Sequence, residues 1–214
     1  DTLESRGLGD VYKRQLYSRL GEFLEVCHNH GTSTFLVTNG SLPKVIEKLD
    51  PLPTQLYVSV DAPNKEIFDR LCKPKFDQGA FHKLEETLEL LPSLETRTVC
   101  RHTLIKHESL GFHDDYARLD NLADPDFIEA KGYVNVGNSR NNLSVENMPT
   151  HHEIIEFSEK LAPLVGRKLL SDRRESRVAL IGKEMVPVEL PVANMELPKD
   201  LGIAKPQRFM LPQV

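Results

Sequence analysis

Residues 127–149 read FIEAKGYVNVGNSRNNLSVENMP. The first five alternate, with Ile128 and Ala130 on one side and Phe127, Glu129 and Lys131 on the other, which is the period of a β-strand. Gly132 follows, then a long polar loop that carries Gly137, Ser139, Arg140, Asn141 and Asn142, and Pro149-Thr150 opens a helix. A strand whose charged face feeds a Gly/Asn/Arg loop is costly to build for packing alone. In β/α barrels the chemistry sits at the C-terminal ends of the strands. Function is therefore expected at this edge, and the rest of the chain is its frame.

Working outward, the same βα rhythm repeats. Upstream, a short apolar strand (34–37) runs into Thr38-Asn39-Gly40 and a helix (43–49). A second strand (55–60) alternates Leu56, Val58 and Val60 with Tyr57, Ser59 and Asp61. Asn64 is placed to cap a helix ending at Cys72, and Phe81, Leu84, Leu88 and Leu91 give helical spacing for another. A strand at 96–105 carries Arg97, Arg101 and Thr103 on one face, and a short helix (116–122) leads into the central strand. Downstream, Thr150 and Glu153 form a capping box for a helix running to about Val165, and 177–181 reads as a last strand. At the front, Leu16, Leu20, Phe23, Leu24 and Cys27 recur at helical spacing before Gly31.

Strands alternating with helices imply an α/β fold of parallel βα units joined by right-handed crossovers. A doubly wound sheet buries both faces, so its strands read as continuous apolar runs. Here Tyr57/Ser59/Asp61, Arg101/Thr103 and Glu129/Lys131 make one face polar. A partial (β/α) barrel with a wet mouth is the expected architecture. Residues 1–15, DTLESRGLGDVYKRQ, have no periodicity and resemble translated adapter sequence, so they are set aside as a non-native leader. The barrel portion is 16–182. Beyond it, five prolines (187, 191, 198, 206 and 212) predict an irregular tail over 183–214.

Bulk properties exclude several classes. With 214 residues, 39% hydrophobic and 28% charged, the chain can bury a sizeable core as one domain. No apolar run approaches a membrane span. A net charge of −5 argues against a generic nucleic-acid coat, though not against a local basic patch. Cys27, Cys72 and Cys100 are odd in number and far apart, which suggests neither a disulfide framework nor a metal knuckle. Reduced thiols and a cytoplasmic setting are the default expectation. His151-His152, in the first turn of a helix, are expected to face solvent.

Each local signal has a plain structural reading beside its functional one. Thr38-Asn39-Gly40 is either a βα turn or a site loop. Ser59 and Asp61 suit a ribose diol, or a helix-capping loop. Arg101 and Thr103 can pair with Glu129 across neighbouring strands. Lys131 is another partner for Glu129, or else a phosphate contact or Schiff-base lysine at the mouth. The GNSRNN loop suits phosphate and base edges, or is merely solvated. The order of the motifs carries more than any one of them. FLVTNG, PTQLYVSVDAP, RLCKP, ETLELLPSL, PDFIEAKGYVNVGNSRNNLSVENMP and the helix from THHEI closely resemble the C-terminal half of the radical-SAM tRNA 4-demethylwyosine synthases of wybutosine synthesis, over about residues 16–181.

The resemblance implies an incomplete barrel truncated at its N-terminal side, S-adenosyl-L-methionine and a [4Fe–4S] cluster as cofactors, and carbon–carbon lyase chemistry. N1-methylguanosine in phenylalanine tRNA is condensed with pyruvate to give 4-demethylwyosine. It implies Thr38, Asn39, Ser59, Asp61, Arg101 and Thr103 around S-adenosyl-L-methionine, Lys131 as the catalytic group, and Gly137, Ser139, Arg140, Asn141 and Asn142 toward tRNA. No CxxxCxxC motif is present, so the cluster ligands are expected outside this chain, which then reads as a fragment. His102 stands where the family pattern is usually apolar, and Lys106-His107-Glu108-Ser109 replaces a glycine-containing turn. A Schiff-base aldolase built on Lys131 and a non-catalytic tRNA-binding fragment are the competing functions.

Overall fold

The computed structural model describes residues 18–74 and 79–185. The chain runs α1 (Leu20–Asn29), β1 (Phe35–Thr38), α2 (Pro43–Glu47), β2 (Gln55–Val60), α3 (Lys65–Cys72), α4 (Ala80–Leu90), β3 (Arg97–Leu104), α5 (His113–Ala123), β4 (Phe127–Gly132), α6 (His151–Leu164), β5 (Lys168–Arg173) and β6 (Val178–Gly182). The six strands form one sheet in the order β1-β2-β3-β4-β6-β5. β1 to β4 are parallel, and β6 joins β4 antiparallel. Among the described residues no helix is long and apolar enough to cross a membrane.

Strand parity decides how this sheet is covered. Leu36, Leu56, Val58, Val60, Cys100, Leu104, Ile128, Ala130, Ala179 and Ile181 share one face and one hydrophobic core with Leu24, Ile46, Leu84, Leu88, Leu119, Ile154 and Leu161 from five helices. Val99 and Phe127, though buried, belong to the other face and stand outside that core. Fully burying Leu56, Val58 and Val60 stabilises the fold by about 1.5–3 kcal/mol each. A one-residue slip of β2 would expose all three, so the register is fixed by burial. Caps set the helix starts: Asn64 Oδ1 accepts from Ile67 N at 3.1 Å, and Thr150 with Glu153 makes the reciprocal box expected of its spacing.

Three expectations change. The last strand is not a parallel addition, because β5 and β6 form an antiparallel hairpin whose second strand pairs with β4. Sequence reading missed β5 because its outer half, Ser171-Asp172-Arg173, lies exposed on an edge strand and carries no apolar alternation. Of the expected α/β partial barrel, the structure shows the α/β part as a mixed six-stranded sheet that is open among the described residues, with the described helices gathered on one face. His151 is also not free in solvent: its Nε2 lies 2.7 Å from Asp172 Oδ2 and ties α6 to β5, while His152 stays exposed. The leader at 1–15 and nearly all of the tail at 183–214 lie outside the described residues.

Candidate functional site

The face without helices is the polar one, and the strand register orders its side chains into rows. Val37, Tyr57, Val99 and Phe127 form a lower row. Ser59, Arg101 and Glu129 stand one layer up. At the C-terminal edge Thr103 neighbours Lys131, and Asp61, one residue past the Val60–His102 pair, stands level with Thr103. Neighbouring strands are about 4.8 Å apart, so Asp61, Thr103 and Lys131 span roughly two strand spacings along the rim.

In the middle row, Arg101 Nε donates to Glu129 Oε1 at 2.7 Å, and both side chains are mostly buried. The Arg101 guanidinium also lies 4.8 Å over the Tyr57 ring. Arg97 lies 5.1 Å over Phe127 and helps to shield it. Glu129 is therefore engaged by Arg101, the pairing weighed from sequence. The Lys131 side chain makes no hydrogen bond or ion pair among the described residues, and it is half-buried at the rim.

Asp61 is the most unusual group. Only 9% of it is exposed, and its Oδ1 is buried without a hydrogen-bond partner. Burial pushes its carboxyl above the ordinary range, opposed by a hydrogen bond from Thr103 and by the Arg101 charge. A buried acceptor without a donor is costly unless something else supplies one. Behind the rim, on the helix face, His102 Nε2 lies 2.9 Å from Asp120 Oδ2 with both side chains fully buried. The His102 ring packs 4.5 Å from Tyr116. The histidine at a usually apolar position thus has its own buried partner on α5.

Two candidate residues fold into a turn. Thr38 is fully buried with the parity of the core face, and its Oγ1 accepts from Gly40 N at 3.0 Å. Asn39 Oδ1 accepts from Ser41 N at 3.1 Å. Gly40 adopts φ +69°, and a Cβ there would fall 2.7 Å from Leu84 Cδ1, so helix α4 presses on the turn. The structure therefore gathers Ser59, Asp61, Arg101, Thr103 and Lys131 on one face, while Thr38 and Asn39 shape the loop beside them.

The GNSRNN loop starts with a 3₁₀ turn, Gly137–Asn141, entered through Gly137 at φ +60°. Ser139 Oγ donates to Val136 O at 2.6 Å and receives Tyr133 Oη at 2.8 Å, so it holds the loop together. Arg140 Nε donates to Asn135 O, yet the side chain stays exposed with Asn141 and Asn142. Lys73 Nζ reaches Asn142 Oδ1 at 2.9 Å from the end of α3, a contact across sixty-nine positions that no local pattern reveals. Lys106 pairs with Glu153 at 2.7 Å and fastens the loop after β3 to the start of α6. Among the described residues no group of three His, Cys, Asp or Glu side chains is placed to hold a metal ion.

Comparison with known proteins follows the same outline. Residues 122–183 match the family model for wyosine base formation. The S-adenosyl-L-methionine-dependent tRNA 4-demethylwyosine synthase of Pyrococcus horikoshii is 42% identical over 175 residues, covering 80% of this chain and 51% of that protein. The Methanocaldococcus jannaschii protein of the same description is 38% identical over 172 residues, 79% of this chain and 52% of its own. A structure of TYW1 with a lysine–pyruvate adduct bound superimposes with TM-score 0.70 at 35% identity, over 79% of this chain and 54% of that one. An archaeal TYW1 crystal structure gives TM-score 0.65 at 32% identity, over 79% and 53%. The chain spans about half the length of these archaeal relatives. In sequence and in fold it is similar to one half of the tRNA 4-demethylwyosine synthases, consistent with the C-terminal half that its motifs resemble.

Proposed function

We propose that this chain is the part of a tRNA 4-demethylwyosine synthase that binds pyruvate and tRNA, and that Lys131 is the residue that receives pyruvate. In the complete enzyme the sheet would be one side of a partial radical-SAM barrel, the open polar face turned toward the reactants. The observation that carries the reading is the division of charge on that face. Arg101 takes Glu129 at 2.7 Å, which leaves Lys131 at the strand end as an amine with nothing described to neutralise it. A related TYW1 structure holds a lysine–pyruvate adduct, which supports a lysine in this role.

The chemistry asked of Lys131 is simple. As the free amine, Nζ adds to the C2 carbonyl of pyruvate; the carbonyl oxygen takes up two protons and leaves as water, and a protonated Schiff base remains. The half-buried setting and the neighbouring Arg101–Glu129 pair hold the group at the rim without quenching it. The adduct keeps the carbon skeleton beside the face where tRNA is brought. Arg140, Asn141 and Asn142 are the exposed polar groups of the adjacent loop, suited to phosphate and base edges.

Asp61 fits the adenosine part of S-adenosyl-L-methionine, since its orphaned buried oxygen is an acceptor for a ribose diol, with Ser59 one row below and Thr103 beside it. That cofactor, when bound, supplies radical generation. The [4Fe–4S] cluster does not fit this chain: Cys100 is buried on the helix face, Cys27 and Cys72 lie on α1 and α3, and no described ligand group stands ready. Its ligands are assigned to residues outside the 214, and no step is drawn through it.

The test is a paired measurement on the full-length enzyme. Lys131→Met is expected to keep the thermal midpoint near wild type while conversion of N1-methylguanosine in tRNA falls by about 10²–10⁴-fold, the usual worth of one positioned catalytic group. A variant that loses stability yet keeps turnover makes Lys131 structural.

A further inference from the structure

Around α3 and the loops beside it the cations divide into two kinds. Lys65 pairs with Asp69, Arg70 Nη2 with Glu108 at 2.8 Å, and Lys106 with Glu153 at 2.7 Å, so each of these charges is answered by a carboxylate. Lys73 and Arg140 are held by neutral acceptors instead. Lys73 Nζ donates to Asn142 Oδ1 at 2.9 Å, and Arg140 Nε donates to Asn135 O at 3.1 Å. Neither makes an ion pair among the described residues, and both side chains are exposed. A neutral acceptor fixes where a cation stands and leaves its charge in place.

The same contact decides what the loop presents. An ammonium only donates, so Asn142 turns its Oδ1 to Lys73 and is left with its NH₂ group for any ligand. Arg140 stands two residues before Asn142, roughly 7 Å away at the Cα atoms. Past the bond to Asn135, its two Nη groups remain as donors. The Lys73 ammonium has two further N–H groups. These three side chains therefore offer donors to a ligand, two of them charged. Such a set fits phosphate oxygens, which only accept; base edges present donors and acceptors together and are the poorer match.

The backbone of Lys73 points the same way. It caps the C-terminus of α3 at φ +45°, a left-handed conformation that glycine adopts without a Cβ penalty. For capping alone a glycine would carry less strain, so a lysine there is accounted for by where its side chain goes. An open recess of about 380 Å³, lined by Lys65, Asp69, Lys73 and Pro74, leaves room beside it, and Asp69 is taken up by Lys65. Resting on the reading of the GNSRNN loop as facing tRNA, we propose that Lys73 belongs to the RNA interface. With Arg140 and the Asn142 amide it grips a phosphate of the tRNA backbone, and the end of α3 becomes part of the surface that holds the RNA.

The experiment measures binding of fluorescein-labelled phenylalanine tRNA to the full-length enzyme by anisotropy over a salt series, with the thermal midpoint of every variant alongside. Lys73→Met should weaken binding about tenfold at low salt and reduce the steepness of log Kd against log salt by about 0.7–0.9, the worth of one phosphate contact. Lys73→Arg should keep most of both. Lys73→Gly removes the side chain and the backbone strain together, so it should bind as weakly as Lys73→Met with a midpoint at or above wild type. Wild-type affinity and steepness in Lys73→Met and Lys73→Gly, while Arg140→Met weakens binding, would overturn this inference alone and leave Lys73 a tether of the loop. No tRNA binding by the wild type, or binding that Arg140→Met leaves unchanged, would overturn the tRNA reading of the loop with it.

Discussion

If Glu129 belongs to Arg101 and not to Lys131, a double-mutant cycle should show it. The Arg101–Glu129 contact is 2.7 Å with the two side chains 23% and 14% exposed. At an effective dielectric of about 20 the gross attraction is about 6 kcal/mol, most of which is offset by taking both charges out of water. Fully exposed pairs couple by about 0.2–1 kcal/mol and fully buried ones lose about 3–5 kcal/mol when broken, so this mostly but not fully buried pair should couple by about 1–3 kcal/mol. Arg101→Met, Glu129→Gln and the double variant, unfolded in urea, give the first coupling energy. Glu129→Gln combined with Lys131→Met gives the second, expected below about 0.5 kcal/mol. In thermal terms Glu129→Gln alone should lower the midpoint by several degrees, at about 2–4 °C per kcal/mol for a chain of this size. A Glu129–Lys131 coupling larger than the Arg101–Glu129 one would refute the division of charge on the open face.

Leu56→Ala removes a fully buried side chain from the middle of the core and should cost about 2–5 kcal/mol, read as a lower urea midpoint with an unchanged slope. Gly40→Ala forces a side chain into φ +69° and against Leu84, so it should destabilise by about 1–3 kcal/mol, whereas Ser41→Ala beside it should be nearly silent in the same melt. Glu153 is held down to about 2 from an ordinary 4.5, chiefly by Lys106 and the Thr150 cap. A depressed carboxylate adds stability that is fully present above pH 4.5 and is lost as pH falls through about 2. Glu153→Gln should flatten that acid limb in a pH series of thermal midpoints, and a limb of unchanged steepness would rule out the assignment.

Much of the frame was legible because burial writes itself into strand parity. Leu56/Val58/Val60 against Tyr57/Ser59/Asp61 marked the helix face and the open face correctly, and Asn64, Thr150 and Glu153 announced their helices through local capping chemistry. What sequence could not carry was long-range or geometric. The β5–β6 hairpin is held by pairing to β4 rather than by its own pattern, so an expected parallel strand is antiparallel. Whether a sheet of this kind curls into a barrel depends on strands and closure that no alternation encodes, and here it remains open. Of the candidate site residues, Ser59, Asp61, Arg101, Thr103 and Lys131 share the open face. Thr38, expected in a turn or beside the cofactor, is buried with the core-face parity, its hydroxyl accepting from Gly40 N. The Lys73–Asn142 and His102–Asp120 contacts join distant segments with no signature at either end.

The most direct measurement is the position of the pyruvate adduct itself. Full-length enzyme is incubated anaerobically with pyruvate, reduced, digested and mapped by mass spectrometry against an unreduced control. The expected result is one modified peptide spanning the strand 127–132 and the loop after it, with the added mass on Lys131 and its loss in Lys131→Met. An adduct on any other lysine, with Lys131 unmodified, would contradict the proposal that this strand end receives the substrate.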